Sequence, residues 1–307
     1  MTRIAIVGPG AVGGFFAAHL AAVGHDVLSC ARRPFDRYVV ESDELPVDVA
    51  ARVVIEPEAV DGHADWVLVG VKAHQTAAAA PWLDRLCGPG STVVVLQNGV
   101  EGVARLSPLA HGAEVIPTVV YCGTELLAPG HIRHRRGRTL IVPERPSSHR
   151  FAALFERSPA RVEVTSSYVT EAWRKLGTNV ATNGITALTG RSLMVLREPG
   201  MPELVVRILE ECWAVARAEG ASLGPEDVSA LVDRLTAGLR GGTSMLYDRR
   251  AGHPTEHDAL YGAVIRAGSR HGIPTPFAET MAALIAAGDQ RDGAREDDAE
   301  TDRPGRS

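Results

Sequence analysis

The chain has 307 residues, enough for one large domain or two of ordinary size, and its 45% hydrophobic and 22% charged content suits a globular protein with a sizeable core. A net charge of -5 argues against a nucleic-acid or anionic-membrane partner, which would select a basic face. The four cysteines, Cys30, Cys87, Cys122 and Cys212, are scattered without a CxxC pair, which fits reduced thiols in the cytoplasm better than a disulfide framework or a zinc site.

The apolar opening over residues 4–23 is interrupted by Gly8-Pro9-Gly10 and contains His19, with only Arg3 as a charge ahead of it, so it reads as neither signal peptide nor membrane span. Arg3 to Val7 is a β-branched run of buried-strand type. It enters the G-x-G-x-x-G turn Gly8-Pro9-Gly10-Ala11-Val12-Gly13, followed by a helical pattern over 11–23 and a strand over 25–30. Strand, glycine turn, helix, strand is the context of a dinucleotide fingerprint. In it Gly8 permits the tight turn, Gly10 lets a pyrophosphate approach the backbone, and Gly13 lets the helix sit close to the sheet. The second strand ends Ser29-Cys30-Ala31-Arg32-Arg33 with no acid for a ribose diol; Asp26 is at its other end. Guanidinium groups there suit a 2′-phosphate, so the expected cofactor is NADPH/NADP+ rather than NAD.

Residues 64–72 and 91–97 are near-continuous apolar runs typical of buried parallel strands, and they end at Lys72 and at Asn98-Gly99. Ligands of open α/β sheets bind outside the carboxyl ends of strands, which directs Lys72 and Asn98 to the cofactor. A further strand is expected over 113–122. Residues 131–142, HIRHRRGRTLIV, resemble a hairpin turning near Arg136-Gly137, and the arginines at 133, 135, 136 and 138 read as a solvated edge rather than an RNA patch because no aromatic residue is interleaved. Residues 151–164 supply a last helix and an edge strand.

From about 166 strand signals fade and helical segments follow over 168–188, 201–219, 225–239, 256–271 and 276–287. The fold class expected is α/β plus all-α: a Rossmann-type domain over 1–166, a helical substrate domain over 167–287, and a disordered tail over 288–307. On the first of these helices Lys175, Asn179 and Asn183 stand four apart, so at about 100° per residue all three point to one side. A lysine and two amides in a stripe suit either a cleft for a small polar molecule or the wet face of an ordinary amphipathic helix. Gly241-Gly242-Thr243-Ser244 reads as a flexible joint presenting a hydroxyl, and Glu256 opens a helix after Pro254. His253 and His257 are four apart with no further ligand, so no metal site is expected, and no G-x-S-x-G or Walker A pattern is present.

Taken together, IAIVGPGAVGG, VKAHQT, LQNGV, WRKLGTNVATNGITALTG and SMLYDRRAGHPTEHDALYG resemble the ketopantoate reductase (2-dehydropantoate 2-reductase) family over about residues 3–287. The resemblance implies NADPH-dependent reduction of a 2-keto acid, most simply 2-dehydropantoate to pantoate, a step of pantothenate biosynthesis. It implies that Lys175 is the general acid and that Asn98, Asn179, Asn183 and Ser244 hold substrate together with Lys175. It also implies cofactor contacts from Gly8, Pro9, Gly10, Ala11, Val12, Gly13, Arg32, Lys72, Asn98, Cys122 and Glu256. The chain departs from the family pattern at Gly241-Gly242-Thr243, at Leu193 and at Tyr261, where a smaller polar residue is frequent, so the chemistry is better specified than the acyl group. A reductase of another branched or aromatic 2-keto acid is the alternative within the same chemistry. A non-catalytic NADP(H) sensor is the alternative outside it, and the presence of Lys175, Asn179, Asn183 and Glu256 argues against that one. The expected partner is the small-molecule substrate, in the cytoplasm, with no nucleic acid or membrane; the sequence leaves a homodimer open.

Overall fold

The structure, a computed structural model, describes residues 2–237 and 240–301. Its contacts divide the chain into two compact units, Met1–Ala172 and Trp173–Ser307.

The first unit opens with β1 (Arg3–Val7), α1 (Ala11–Ala22) and β2 (Asp26–Cys30). Next come β3 (Arg37–Glu41), β4 (Val47–Ala50) and β5 (Arg52–Val54), then β6 (Trp66–Val69), α2 (Ala80–Leu86), β7 (Thr92–Val95), α3 (Gly102–Leu106) and β8 (Glu114–Pro117). Six of these strands make a wholly parallel sheet in the order β5-β2-β1-β6-β7-β8. Counted within that sheet the order is 3-2-1-4-5-6, the doubly wound arrangement of dinucleotide-binding folds, whose order reverses between β1 and β6. Side chains alternate across it as the pleat requires. Ile4, Ile6, Leu68, Val94 and Ile116 join the core under α1, while Ala5, Val7, Val67, Val69, Val93 and Val95 join the core under α2 and α3.

The unit closes with β9 (Val119–Ala128), β10 (His131–Pro143), α4 (Pro146–Ala153) and β11 (Arg161–Thr165). These strands and the β3–β4 pair form a second sheet, in which β10 pairs with β9 on one side and with β3 and β11 on the other. The hairpin is therefore displaced from its expected position. The chain turns at Gly130 (φ 75°), where a Cβ would stand 2.3 Å from the carbonyl oxygen of Arg37, whereas Gly137 (φ 69°) lies where the β9–β10 register slips. A glycine inside a strand pattern marks a bulge as readily as a turn, and here it is the bulge. The arginine-rich strand is consequently central in its sheet rather than an edge, and two of its four arginines are paired locally: Arg133 with Glu41 at 3.0 Å, and Arg135 with Glu125. The run expected as one strand over 113–122 is split at Thr118, whose hydroxyl bonds to the carbonyl of Val95.

The second unit is helical among the described residues. The helix α5 (Tyr168–Thr189) starts within the first unit and continues into it, followed by α6 (Met201–Ala218), α7 (Pro225–Thr236), α8 (Ser244–Arg250), α9 (Ala263–His271) and α10 (Pro276–Thr301). Trp213 of α6, 1% exposed, packs its ring on Gly177 of α5, where a Cβ would come within 1.8 Å of it. Glu211 accepts from the backbone amides of Phe277 and Ala278 at 2.9 and 2.8 Å and so caps α10. The stretch expected to be disordered from Gly288 instead continues α10 as far as Thr301, and residues 302–307 lie outside those described. No helix among the described residues is long and apolar enough to cross a membrane.

Candidate active site

In the first unit the carboxyl ends of β1, β2, β6 and β7 are followed by the glycine turn, Arg32, Lys72 and Asn98, four of the predicted cofactor positions. The glycine turn is held by a ring of backbone bonds: the Gly8 amide donates to the carbonyl of Cys30 at 3.1 Å, and the Gly10 amide to that of Gly8 at 2.8 Å. Gly8 has φ +81°, and a Cβ on it would lie 2.8 Å from the Val71 amide nitrogen. A Cβ on Gly13 would lie 2.7 Å from the Gly8 oxygen, and Gly70 closes on the same atom at 2.9 Å. A Cβ on Gly10, by contrast, would meet nothing within 4 Å. Two glycines of the fingerprint are thus dictated by packing, and Gly10 is dictated by neither packing nor a positive φ. The space beside it is a cradle at the mouth of α1, a helix with no side-chain cap and no acid in its first turn. Its leading amides, Ala11, Val12 and Gly13 included, have no intrahelical acceptor and suit a pyrophosphate.

Arg32 and Arg33 are exposed just beyond β2, and neither forms an ion pair with any described residue. Asp26, at the other end of that strand, faces Arg52 at 3.5 Å, which removes it as a ribose ligand. Lys72 follows β6 as the residue preceding a short 3-10 segment, and Asn98 follows β7; both are half-buried. Gln97, which the sequence reading passed over, ties these two loops together. It is 5% exposed, and its amide donates to the Val71 carbonyl at 3.2 Å and to the Thr76 hydroxyl at 2.8 Å. The apolar run before it masked it as the end of a strand. Cys122 is half-buried on β9, and the core beneath it is that of α1.

In the second unit α5 carries Lys175, half-buried, with Asn179 and Asn183 at 9% and 4% exposed. Asn183 Oδ1 accepts from the Thr182 hydroxyl at 3.2 Å. The Asn179 side chain makes no hydrogen bond to any described residue. Its polar atoms are not among those fully buried without a partner, so the amide stays open to water or to a ligand. Of the joint at 241–244, Thr243 rather than Ser244 is locked: it caps α8 by accepting the Leu246 amide at 3.2 Å and bonds to the Thr186 hydroxyl at 2.7 Å. Ser244, first residue of α8, is exposed. Glu256 is 7% exposed, and a π-turn at Asp258–Gly262 leads from it into α9 in place of the expected continuous helix. Its loop is clamped by Asp289, which accepts from the Thr255 amide at 3.3 Å and hydroxyl at 2.7 Å.

A Rossmann sheet with an open phosphate cradle, followed by a helical unit bearing a lysine and buried amides, defines a nucleotide-dependent oxidoreductase. Residues 4–147 match the family described as ketopantoate reductase PanE/ApbA, and residues 168–289 match its C-terminal family. The chain belongs to the ketopantoate reductase family. It is 40% identical to a 2-dehydropantoate 2-reductase of Caulobacter vibrioides, over 94% of this chain and 99% of that one. Among solved structures it is similar to a PanE/ApbA family ketopantoate reductase from Ralstonia eutropha JMP134 (TM-score 0.87, 32% identity, 95% and 100% of the two chains covered). It is also similar to a dimeric ketopantoate reductase from Staphylococcus aureus (TM-score 0.84, 26% identity, 94% and 99% covered).

Proposed function

We propose that the protein reduces 2-dehydropantoate to pantoate with NADPH. Family membership supports the reaction class, and the observation that carries the substrate-binding part is the Asn179 amide, which bonds to no described residue and keeps its polar atoms accessible on a largely buried residue. The bound nicotinamide supplies hydride to the keto carbon. Gly10 and the first amides of α1 receive the pyrophosphate, and Arg32 pairs with the 2′-phosphate, where its planar fork suits a dianion. Lys72, Asn98, Cys122 and Glu256 complete the cofactor contacts in this reading. Lys175 hydrogen-bonds the keto oxygen, stabilises the alkoxide charge that develops there, and delivers the proton. Asn98, Asn179 and Asn183 hold the hydroxyl and carboxylate of the substrate without adding charge, and Ser244 donates to the carboxylate. The exposure of Ser244 suits a group that meets substrate on binding. A cytoplasmic homodimer is proposed for the assembly, on the dimeric relative and the unpaired cysteines.

The test is a panel of 2-keto acids followed by loss of NADPH absorbance, with Lys175→Ala beside the wild type. The reading expects 2-dehydropantoate to give the highest kcat/KM. It expects the variant to lose about 10²- to 10⁴-fold in kcat, the usual worth of a general acid, with NADPH affinity retained. Equal loss of cofactor binding would make the lysine structural, and a different best substrate would overturn the assignment to pantoate formation.

A further inference from the structure

Tyr261 is fully buried in the π-turn Asp258–Gly262. Its hydroxyl donates to the Val180 carbonyl at 2.7 Å and accepts the Gly184 amide at 2.9 Å. Those two groups are i−4 and i partners, which a regular helix joins directly. A hydroxyl bonded to both grips that one step of α5 from the side, while the helix itself runs unbroken from Tyr168 to Thr189. Gly184 is what admits it, since a Cβ there would stand 2.2 Å from the hydroxyl and 2.6 Å from Met281 Cε. Burial pushes the phenol well above its ordinary pKa, so it remains a neutral donor across the working range.

The place of this grip matters. Lys175 and Asn179 precede Val180, whereas Asn183 lies between Val180 and Gly184. The hydroxyl therefore sets where Asn183 sits relative to the other two members of the stripe. We propose that Tyr261 is a positioning residue: its hydroxyl, wedged at the Val180–Gly184 step, fixes the offset between the Asn179 and Asn183 amides and so selects the acyl group of the keto acid. This rests on the reading that α5 binds the keto acid. A site built to hydrogen-bond its substrate discriminates steeply when those groups are displaced, and displacement of a positioning group by about 1 Å is worth about 10²-fold.

Two variants press on the same junction from opposite sides. Tyr261→Phe removes the hydroxyl and keeps the ring; Gly184→Ala drives a methyl into the hydroxyl. Both are assayed with NADPH against 2-dehydropantoate and an unbranched 2-keto acid, with thermal melting and NADPH titration alongside. Each is expected to raise KM for 2-dehydropantoate about 10-fold or more, to change kcat by less than about threefold, and to lower the preference over the unbranched acid by a similar factor. NADPH affinity should stay unchanged. Lower melting temperatures with KM and preference intact would make Tyr261 purely structural and overturn the inference. If Tyr261→Phe does not fold, the same two kinetic quantities in Gly184→Ala decide it. Wild-type protein that turns over no 2-keto acid overturns the parent reading instead, a result separable from loss of the effect in an active enzyme.

Discussion

The three glycines of the fingerprint are separable by experiment because the structure gives them different reasons to be glycine. Alanine at Gly8 must adopt φ +81°, at a cost of about 1–2 kcal/mol for an L-residue, and must also push against the Val71 backbone nitrogen at 2.8 Å, about 1–3 kcal/mol of overpacking. The sum is about 2–5 kcal/mol. In a unit of 172 residues this lowers the melting temperature by about 4–20 °C. Gly13→Ala has only the overpacking component, against the Gly8 oxygen at 2.7 Å, and should lose about 2–12 °C. Gly10→Ala meets nothing within 4 Å at an ordinary negative φ of −72°, so its folding stability should stay within about 0.5 kcal/mol of wild type.

Cofactor affinity runs in the opposite sense. A methyl at Gly10 fills the space into which the pyrophosphate must come, and displacing one charged phosphate–amide hydrogen bond costs about 1.5–3 kcal/mol, or about 10- to 150-fold in Kd. The assay is a thermal melt of the three variants beside a fluorescence titration with NADPH. Gly10→Ala that binds NADPH as tightly as wild type would refute the phosphate cradle. A melting loss in Gly10→Ala as large as that of Gly8→Ala would refute the claim that the space is there for a ligand.

Other consequences can be measured on the same material. Arg32→Ala should weaken NADPH by about 10-fold or more while leaving NADH nearly unchanged; an unaltered preference would remove the guanidinium from the 2′-phosphate. Burial, with the neighbouring His134 second, holds His19 down at about 4 from 6.5, so the folded protein keeps a neutral ring that the unfolded chain protonates. Stability should therefore fall as pH drops from about 6.5 towards 4, with one extra proton taken up on unfolding. Denaturant melts of His19→Gln should lose that slope, and an unchanged slope would assign it elsewhere. Asp289→Ala frees the Thr255 amide and hydroxyl beside Glu256 and should cost about 1–3 kcal/mol by thermal melting, with no cost if the clamp is idle.

What could be read from the sequence, and what could not, follows the range of the interactions involved. The segment from β1 to β2 was legible because each of its signals is local: a β-branched run, glycines at fixed spacing, and a helix stop at Gly24. The stripe on α5 was legible because helical period alone brings Lys175, Asn179 and Asn183 to one side. Residues 37–54 were not. The strands β3, β4 and β5 there are three to five residues long, and the pairing of β3 with β10 and of β5 with β2 is a long-range event that leaves little local trace. Gly137 was misread for a related reason, since a positive φ serves a bulge and a turn equally and only the partner strand distinguishes them.

The joint at 241–244 shows the same limit at the site. Sequence offered two adjacent hydroxyls and favoured Ser244 by its place in the family pattern, and the fold gives them different work. Thr243 is 9% exposed and spent on the α8 cap and on Thr186, while Ser244 projects from the first position of that helix. Tyr261 is the sharpest instance. The sequence marks it only as a departure from the family pattern, and the structure adds an oxygen placed on two backbone groups some eighty residues away on α5. The residues proposed to contact small molecules were thus accessible from pattern. The side chains that tie the neighbouring segments together, Gln97, Thr243, Tyr261 and Asp289, depend instead on tertiary partners that no local pattern announces.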